Sequence, residues 1–289
     1  MYKTLNEHYK EKFGCKVYKL SVDAGFSCPN RDGTVGSKGC IFCSEKGSGE
    51  FAVGGNDVLL QLEKAKEKVS AKVKNGKYIA YFQSFTNTYA DIKTLESLYK
   101  TAILPDYIVG ISIATRPDCL SDEIIALLSE NNKIKPVYVE LGLQTVNDKT
   151  AEYIRRGYKT KVYFNAVKRL KDKSINVVTH IIIGLPGETK SDAVLTTKQV
   201  VNAGSDGIKF HLLYVIKGTD LYEEYKKDVF KCLSFEEYAD ILKECISCLP
   251  PETVVHRITG DGAKKDLVAP LWSADKKRVL NRLKEHLNT

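Results

Sequence analysis

From residue 57 onward, stretches with helical apolar spacing alternate with short strand-like runs, and this alternation leaves few folds open. Val58, Leu59, Leu62, Ala65, Val69 and Val73 fall on one helical face, and the run from Tyr78 to Gln83 reads as a strand. A helix is expected over Ile92 to Ala102 and a strand over Tyr107 to Ala114. Ser121 is placed to cap a helix carrying Ile124, Ile125, Leu127 and Leu128, and Val137 to Leu143 returns to strand spacing. The rhythm continues with Val162 to Lys171, Asn176 to Ile183, Ser191 to Ala203 and Gly207 to Val215. With Val17 to Val22 as the opening strand there are six β/α units, more than one doubly wound nucleotide-binding half requires. An α/β fold is predicted, a partial (β/α)6 barrel of TIM type, with its working groups on the loops at the C-terminal ends of the strands.

After residue 220 the pattern changes. A helix is expected over Ser234 to Cys248, then a break at Pro250 and Pro251, a short strand over Val254 to Thr259, a loop to Trp272 and a last helix. The predicted organisation is a barrel over 1–220 and a C-terminal helical and strand extension over 221–289, packed on the barrel as a lid or side wall within one structural unit. No apolar run approaches the roughly 20 residues of a membrane helix, and Met1 to Lys19 is too polar for a signal peptide, so the expected location is the cytoplasm.

Eight cysteines in 289 residues are too sparse for a disulfide scaffold, which turns attention to metal chemistry. Cys28, Cys40 and Cys43 lie on one loop after the first strand, among Gly33, Gly36, Gly39 and Gly47. Three thiolates can ligate three irons of a cubane cluster and leave the fourth iron open. Spacing alone also admits zinc, although a structural zinc site closes with four ligands and no fourth lies in the loop. Cys245 and Cys248 have CxxC spacing but sit on a helical pattern with Ile241, Leu242, Ile246 and Leu249, as core thiols would.

The loop resembles the Cys-x11-Cys-x-aromatic-Cys variant of the radical S-adenosylmethionine (SAM) motif. The segment Asp23-Ala-Gly-Phe-Ser-Cys-Pro-Asn-Arg-Asp-Gly-Thr is similar to the bacterial YhcC/YtqA-like radical SAM family. The likeness continues through Phe82-Gln-Ser-Phe-Thr-Asn-Thr-Tyr-Ala, Thr115-Arg-Pro-Asp, Glu140-Leu-Gly-Leu-Gln-Thr, Gly184-Leu-Pro-Gly-Glu-Thr and His256-Arg-Ile-Thr-Gly-Asp-Gly. It implies a 4Fe-4S cluster on Cys28, Cys40 and Cys43, whose open iron is chelated by the methionine end of SAM. It also implies a one-electron donor such as flavodoxin or ferredoxin, and a 5′-deoxyadenosyl radical that abstracts hydrogen from the substrate.

The same resemblance assigns SAM contacts. Gln83 stands where such enzymes hold the methionine amine, and similarity to the oxygen-independent coproporphyrinogen oxidase branch implies Gln144, Arg156 and His180 as further contacts. Arg156 suits the carboxylate through its bidentate fork, with Arg155 as its neighbour and competitor. His180 stands where an acidic residue is common. The turn at Gly184 and Leu185 is expected to back adenine, and Phe42 to shield the cluster.

For the substrate, the expected contacts are Glu140, Lys209, His211, Tyr214, His256, Arg257 and Asp261, with Lys209 and His211 on the inward side of the sixth strand. Relatives imply two substrates. One branch resembles queuine lyase, which releases 7-aminomethyl-7-deazaguanine from a free modified nucleobase during queuine salvage. The other acts on tRNA, converting a carboxymethylaminomethyl group on the wobble uridine to aminomethyl. Both begin with hydrogen abstraction beside an amine nitrogen and break a C–N bond. Of the 44 basic residues 36 are lysines, spread without one dense patch, and no RNA-binding module is appended. These features favour the lyase acting on free queuine.

Overall fold

The computed structural model describes residues 2–45, 47, 52–55, 57–70, 76–260, 262 and 264–288. In chain order these form β1 (Lys3–Thr4), α1 (Leu5–Phe13), β2 (Val17–Val22), α2 (Val58–Ser70), β3 (Lys77–Phe82), α3 (Ile92–Ile103) and β4 (Ile108–Thr115). There follow α4 (Asp122–Ile134), β5 (Val137–Gln144), α5 (Asp148–Tyr153), α6 (Thr160–Lys171), β6 (Asn176–Ile183), α7 (Lys190–Asn202), β7 (Gly207–Leu212) and β8 (Val215–Ile216). The chain ends with α8 (Asp220–Lys226), α9 (Phe235–Ser247), β9 (Val254–Arg257), β10 (Leu267–Ala269) and α10 (Lys276–Asn288). Val73 of the expected α2 face, and Asp261, lie outside the described residues.

Local chemistry explains most boundaries. Asp91, Ser121 and Ser234 each cap a helix by accepting an N–H from its first turn, and Ser234 forms a reciprocal capping box with Glu237. The strands are buried on both faces, so they read as nearly continuous apolar runs; in β3 only Lys77 is exposed.

Eight strands form one parallel sheet in the order β1-β9-β7-β6-β5-β4-β3-β2, curled into a half-barrel with helices outside. Six of these strands are the six expected from the alternation; the other two differ from expectation. The strand of the C-terminal tail, β9, does not lie beside the barrel. It pairs with β7 in parallel and extends the sheet. At its far edge the two-residue β1 pairs with β9, a strand too short to leave a periodic signal. The expected strand from Gly207 to Val215 divides at the barrel rim, where β8 turns away to pair antiparallel with β10.

The barrel interior is layered. At the N-terminal ends of the strands, Tyr9 of α1 meets Tyr138 edge-on at 6.1 Å, over Val17, Ile79 and Val178, so α1 plugs the bottom. Above this apolar plug lie charged groups. At the rim a second apolar cluster, including Ile41, Ile154, Leu185, Leu213 and Leu221, supports the cysteine loop.

Candidate cofactor and substrate site

The loop between Cys28 and Cys43 is held by its own backbone and by neighbours on two elements. Arg31 N–H donates to Cys28 O at 2.8 Å, and Gly39 N–H to Asn30 O at 2.7 Å. Gly39 has φ +72°, and a Cβ there would lie 2.9 Å from Arg31 Nε, so the turn needs glycine on both counts. The Arg31 guanidinium donates to Cys43 O at 3.0 Å and to Ser44 O, closing the loop on itself. Ile41 N–H reaches Ile154 O at the end of α5, and Leu221 N–H of α8 reaches Ile41 O.

This arrangement places Cys28, Cys40, Phe42 and Cys43 on the wall of a cavity of about 1550 Å³ at the C-terminal end of the sheet. Burial, with Cys43 and Cys28 beside it, pushes the Cys40 thiol up to about 12. Thiolates crowded in this way need cations among them, and bound iron supplies them. Among the described residues no three Cys, His, Asp or Glu side chains converge on one point as the ligands of a single ion would.

Across the cavity, β5 ends in a bulge. Its register with β6 shifts between Gly142 and Gln144, and Gln144 takes φ +64°. The turn that follows is clamped by Arg156, which is 1% exposed. One Arg156 nitrogen donates to Leu143 O at 2.7 Å and Thr145 O at 2.6 Å, and the others to Tyr158 O, Thr160 Oγ1 and Asp148 Oδ1. Its N–H groups therefore hold the chain in place, and the fork is not open to a ligand carboxylate as the resemblance implied. Arg155 turns outward to Asp220. What the clamp presents to the cavity is Gln144. A Cβ on Gly142 would lie 2.7 Å from its Nε2, so the amide folds across a glycine, and its Oε1 is buried without a partner among the described residues. A buried acceptor of this kind calls for a ligand hydroxyl or ammonium. Three loop thiols and this orphaned amide fit a cluster and SAM. Gln83 also lines the wall, at the end of β3.

The opposite half of the cavity is charged. Glu140 has a fully buried side chain. It accepts from Lys19 Nζ, Ser112 Oγ and Lys209 Nζ, and pairs with His180 Nε2 at 2.8 Å. Burial alone would raise its carboxyl, but Lys19, Lys209 and His180 hold it well below the usual range. Burial lowers Lys209 to about 7 and His180 to about 4. Lys209 also donates to Tyr81 OH at 3.2 Å, and both lysines sit over the Tyr81 ring, 4.6 and 4.8 Å from its centre. The His180 and His211 rings lie 5.1 Å apart, and His211 Nε2 is buried without a partner among the described residues.

Of the expected contacts, Glu140, His180, Lys209, His211, Tyr214 and Arg257 line the same cavity as the cysteines. His256 does not; its ring fills the space beside Gly207, where a Cβ would lie 2.8 Å from Nε2. Gly184 packs against Leu233 and Leu185 sits in the rim core, so both lie behind the wall. Lys19, Tyr81, Ser112 and Tyr158 were not foreseen. The signal for Lys19 was present, a lysine alternating with apolar residues in a buried strand, but its partner is 121 residues away. Also unforeseen are Lys217, Lys264, Lys265 and Lys276, exposed lysines that converge on the cavity mouth.

Comparison with known proteins gives the same assignment. Residues 31–200 match the model of the radical SAM superfamily, and residues 205–289 that of the radical SAM C-terminal domain. Bacillus subtilis YtqA is 45% identical over 289 residues, covering 99% of this chain and 89% of that protein. Escherichia coli YhcC is 36% identical, covering 96% and 89%. The tRNA uridine(34) acetyltransferase of Methanocaldococcus jannaschii is 31% identical over 157 residues, 53% of this chain and 28% of that protein. Among solved structures, Elp3 of Methanocaldococcus infernus superposes with a TM-score of 0.70 at 20% identity over 93% of this chain, which spans only 63% of that one. The chain therefore belongs to the radical SAM superfamily, and within it to the YhcC/YtqA-like family, whose cofactors are a 4Fe-4S cluster and SAM.

Proposed function

We propose that this SAM-dependent enzyme cleaves a C–N bond in the side chain of a modified tRNA nucleobase, converting carboxymethylaminomethyl on a wobble uridine to aminomethyl; with SAM as the two-electron oxidant and water as co-reactant, the two-carbon fragment would leave as glyoxylate. The observation that carries the reading is the charge of the cavity. Nine basic residues line it against Glu45, Glu140 and Asp266, and four of the nine are the exposed lysines at its mouth. Their sequence separation made the charge look diffuse; folding gathers Lys217 from the turn before α8, Lys264 and Lys265 from before β10, and Lys276 from the start of α10. A lysine-rimmed opening over a polar pocket suits a base presented on a phosphate backbone. Relatives whose names specify tRNA uridine 34 support the same choice.

When bound, the cluster and SAM supply the 5′-deoxyadenosyl radical that takes the substrate hydrogen. The chain does the rest. Gln144 and Gln83 orient the cofactor, Phe42 and the rim core keep water from the cysteine loop, and the Glu140 network fixes Lys209 and His180 at the cavity floor, with the His211 ring against His180. A second reading, a lyase acting on free queuine, draws on that enclosed polar floor, which can receive a small base without RNA. The test is to incubate the anaerobically reconstituted, reduced protein with SAM and either tRNA carrying the wobble modification or free queuine, followed by mass spectrometry of the digests. Aminomethyluridine in the tRNA digest is the expected result; 7-aminomethyl-7-deazaguanine from queuine, with unchanged tRNA, overturns it in favour of the lyase.

A further inference from the structure

The floor of the cavity carries more positive charge than its own carboxylate balances. Lys19 and Lys209 pair with one buried carboxylate, Glu140, and Arg257 lines the cavity near Lys209, which burial lowers to about 7; burial likewise keeps His180 and His211 low in proton affinity. Glu140 is already saturated by four donors. Arg257 has no hydrogen bond or ion pair among the described residues, and Lys209 uses two of its three N–H groups, on Glu140 and Tyr81. An unmatched charge in an enclosed cavity is costly, and a half-buried guanidinium beside a buried ammonium is more so.

The backbone is arranged to bring these two cations together. Arg257 of β9 stands in register with Lys209 of β7, because the pairing shifts by one residue between Ile208 and Lys209. A bulge of this kind re-aims side chains. Here His256 takes the space left by Gly207, and Arg257 reaches the cavity wall. The orphaned His211 Nε2 is on the same strand as Lys209, two residues further toward the rim. In the sheet order these groups stand on β7 and β9, away from β2, which leads into the cysteine loop, although all of them line one cavity. On the reading above they form the substrate side of that cavity.

We propose that Arg257 and Lys209 hold a carboxylate of the substrate, and so select a nucleobase whose side chain is anionic. The inference rests on the nucleobase reading above and sharpens it: carboxymethylaminomethyluridine carries such a group, and queuine does not. Arg257 supplies a fork for two parallel hydrogen bonds, Lys209 a point charge beneath it, and the bound carboxylate neutralises the excess on the floor.

The test measures binding to the reconstituted, SAM-loaded protein under anaerobic conditions, with 5-carboxymethylaminomethyluridine and its methyl ester as probes. The acid is expected to bind at least about tenfold tighter than the ester, the scale of one charge-assisted hydrogen bond. Arg257→Gln should reduce that ratio to near one, Arg257→Lys should keep most of it, and SAM affinity should stay the same in both. Equal binding of acid and ester, no binding of either, or a loss of SAM affinity in Arg257→Gln with the ratio intact overturns the inference. Preference for the acid without any turnover of modified tRNA removes the tRNA reading and leaves the carboxylate site; turnover of tRNA with acid and ester bound alike does the reverse.

Discussion

Around the cysteine loop, the cavity is built from backbone. Arg31 and Arg156 donate to main-chain carbonyls, glycines at 39 and 142 let side chains cross close to the chain, and the groups left facing inward are thiols and a neutral amide. On the other side the cavity is built from side chains that hold one another: Lys19, Glu140, His180 and Lys209 lie on β2, β5, β6 and β7 and gather around a single carboxylate. On the reading proposed above, the first half would be a socket for a group of constant shape and the second a pre-charged surface whose balance a substrate completes. Charged cofactor-side arginines cost little because each is neutralised locally by carbonyl dipoles, whereas the substrate side keeps an excess that only a ligand removes.

Perturbing the socket should have the largest effect. Replacing Cys28, Cys40 or Cys43 singly by serine should abolish SAM cleavage and most bound iron, read as 5′-deoxyadenosine formed and iron per chain; retention of a full cluster in any of the three breaks the division drawn here. Next comes the network. Glu140→Gln leaves Lys19 and Lys209 without a counter-charge and should destabilise the fold by about 3 kcal/mol in denaturant unfolding, the usual scale for breaking a buried pair. A loss close to zero would mean that the floor is not charged as described.

A smaller effect tests the same network by pH. His180 is lowered from 6.5 to about 4, first by burial and then by Lys209. Between those values the unfolded chain binds a proton that the folded one excludes, so stability should fall as pH drops from 6.5 to 4, by at most about 1.4 kcal/mol per pH unit for this group. Glu140, held well below its ordinary range, adds loss in the same direction at lower pH. His180→Gln should flatten the slope of unfolding free energy against pH in that window. The mildest test concerns the mouth. Changing Lys217, Lys264 and Lys265 together to glutamine should lower the slope of log tRNA affinity against log salt by about two to three, one phosphate contact per lysine. An unchanged slope would place the RNA elsewhere and return attention to a free base.

The sequence by itself determined whatever depends on neighbours along the chain. Six strands and most of the helices between them were legible because apolar spacing repeats within ten or so residues, and a cap such as Ser121 marks a start; the short α5 was missed. The cysteine loop was legible for the same reason: its three cysteines and its glycines lie within one short stretch of chain. Arg156 shows the limit of that reading. Its place after Gln144 was clear from the motif, but whether its fork faced a ligand or the bulge depended on which carbonyls the folded turn left unpaired. Only the tertiary structure could decide that β9 enters the sheet, because parallel pairing between β7 and β9 joins residues 47 or 48 positions apart, as Gly207 with Val254 and Lys209 with Arg257, without any local signal. The same holds for Lys19 against Glu140 and for the lysines at the mouth. Charge in a linear chain has no direction; closing the sheet gives it one, by turning alternate residues of every strand toward a single enclosed space.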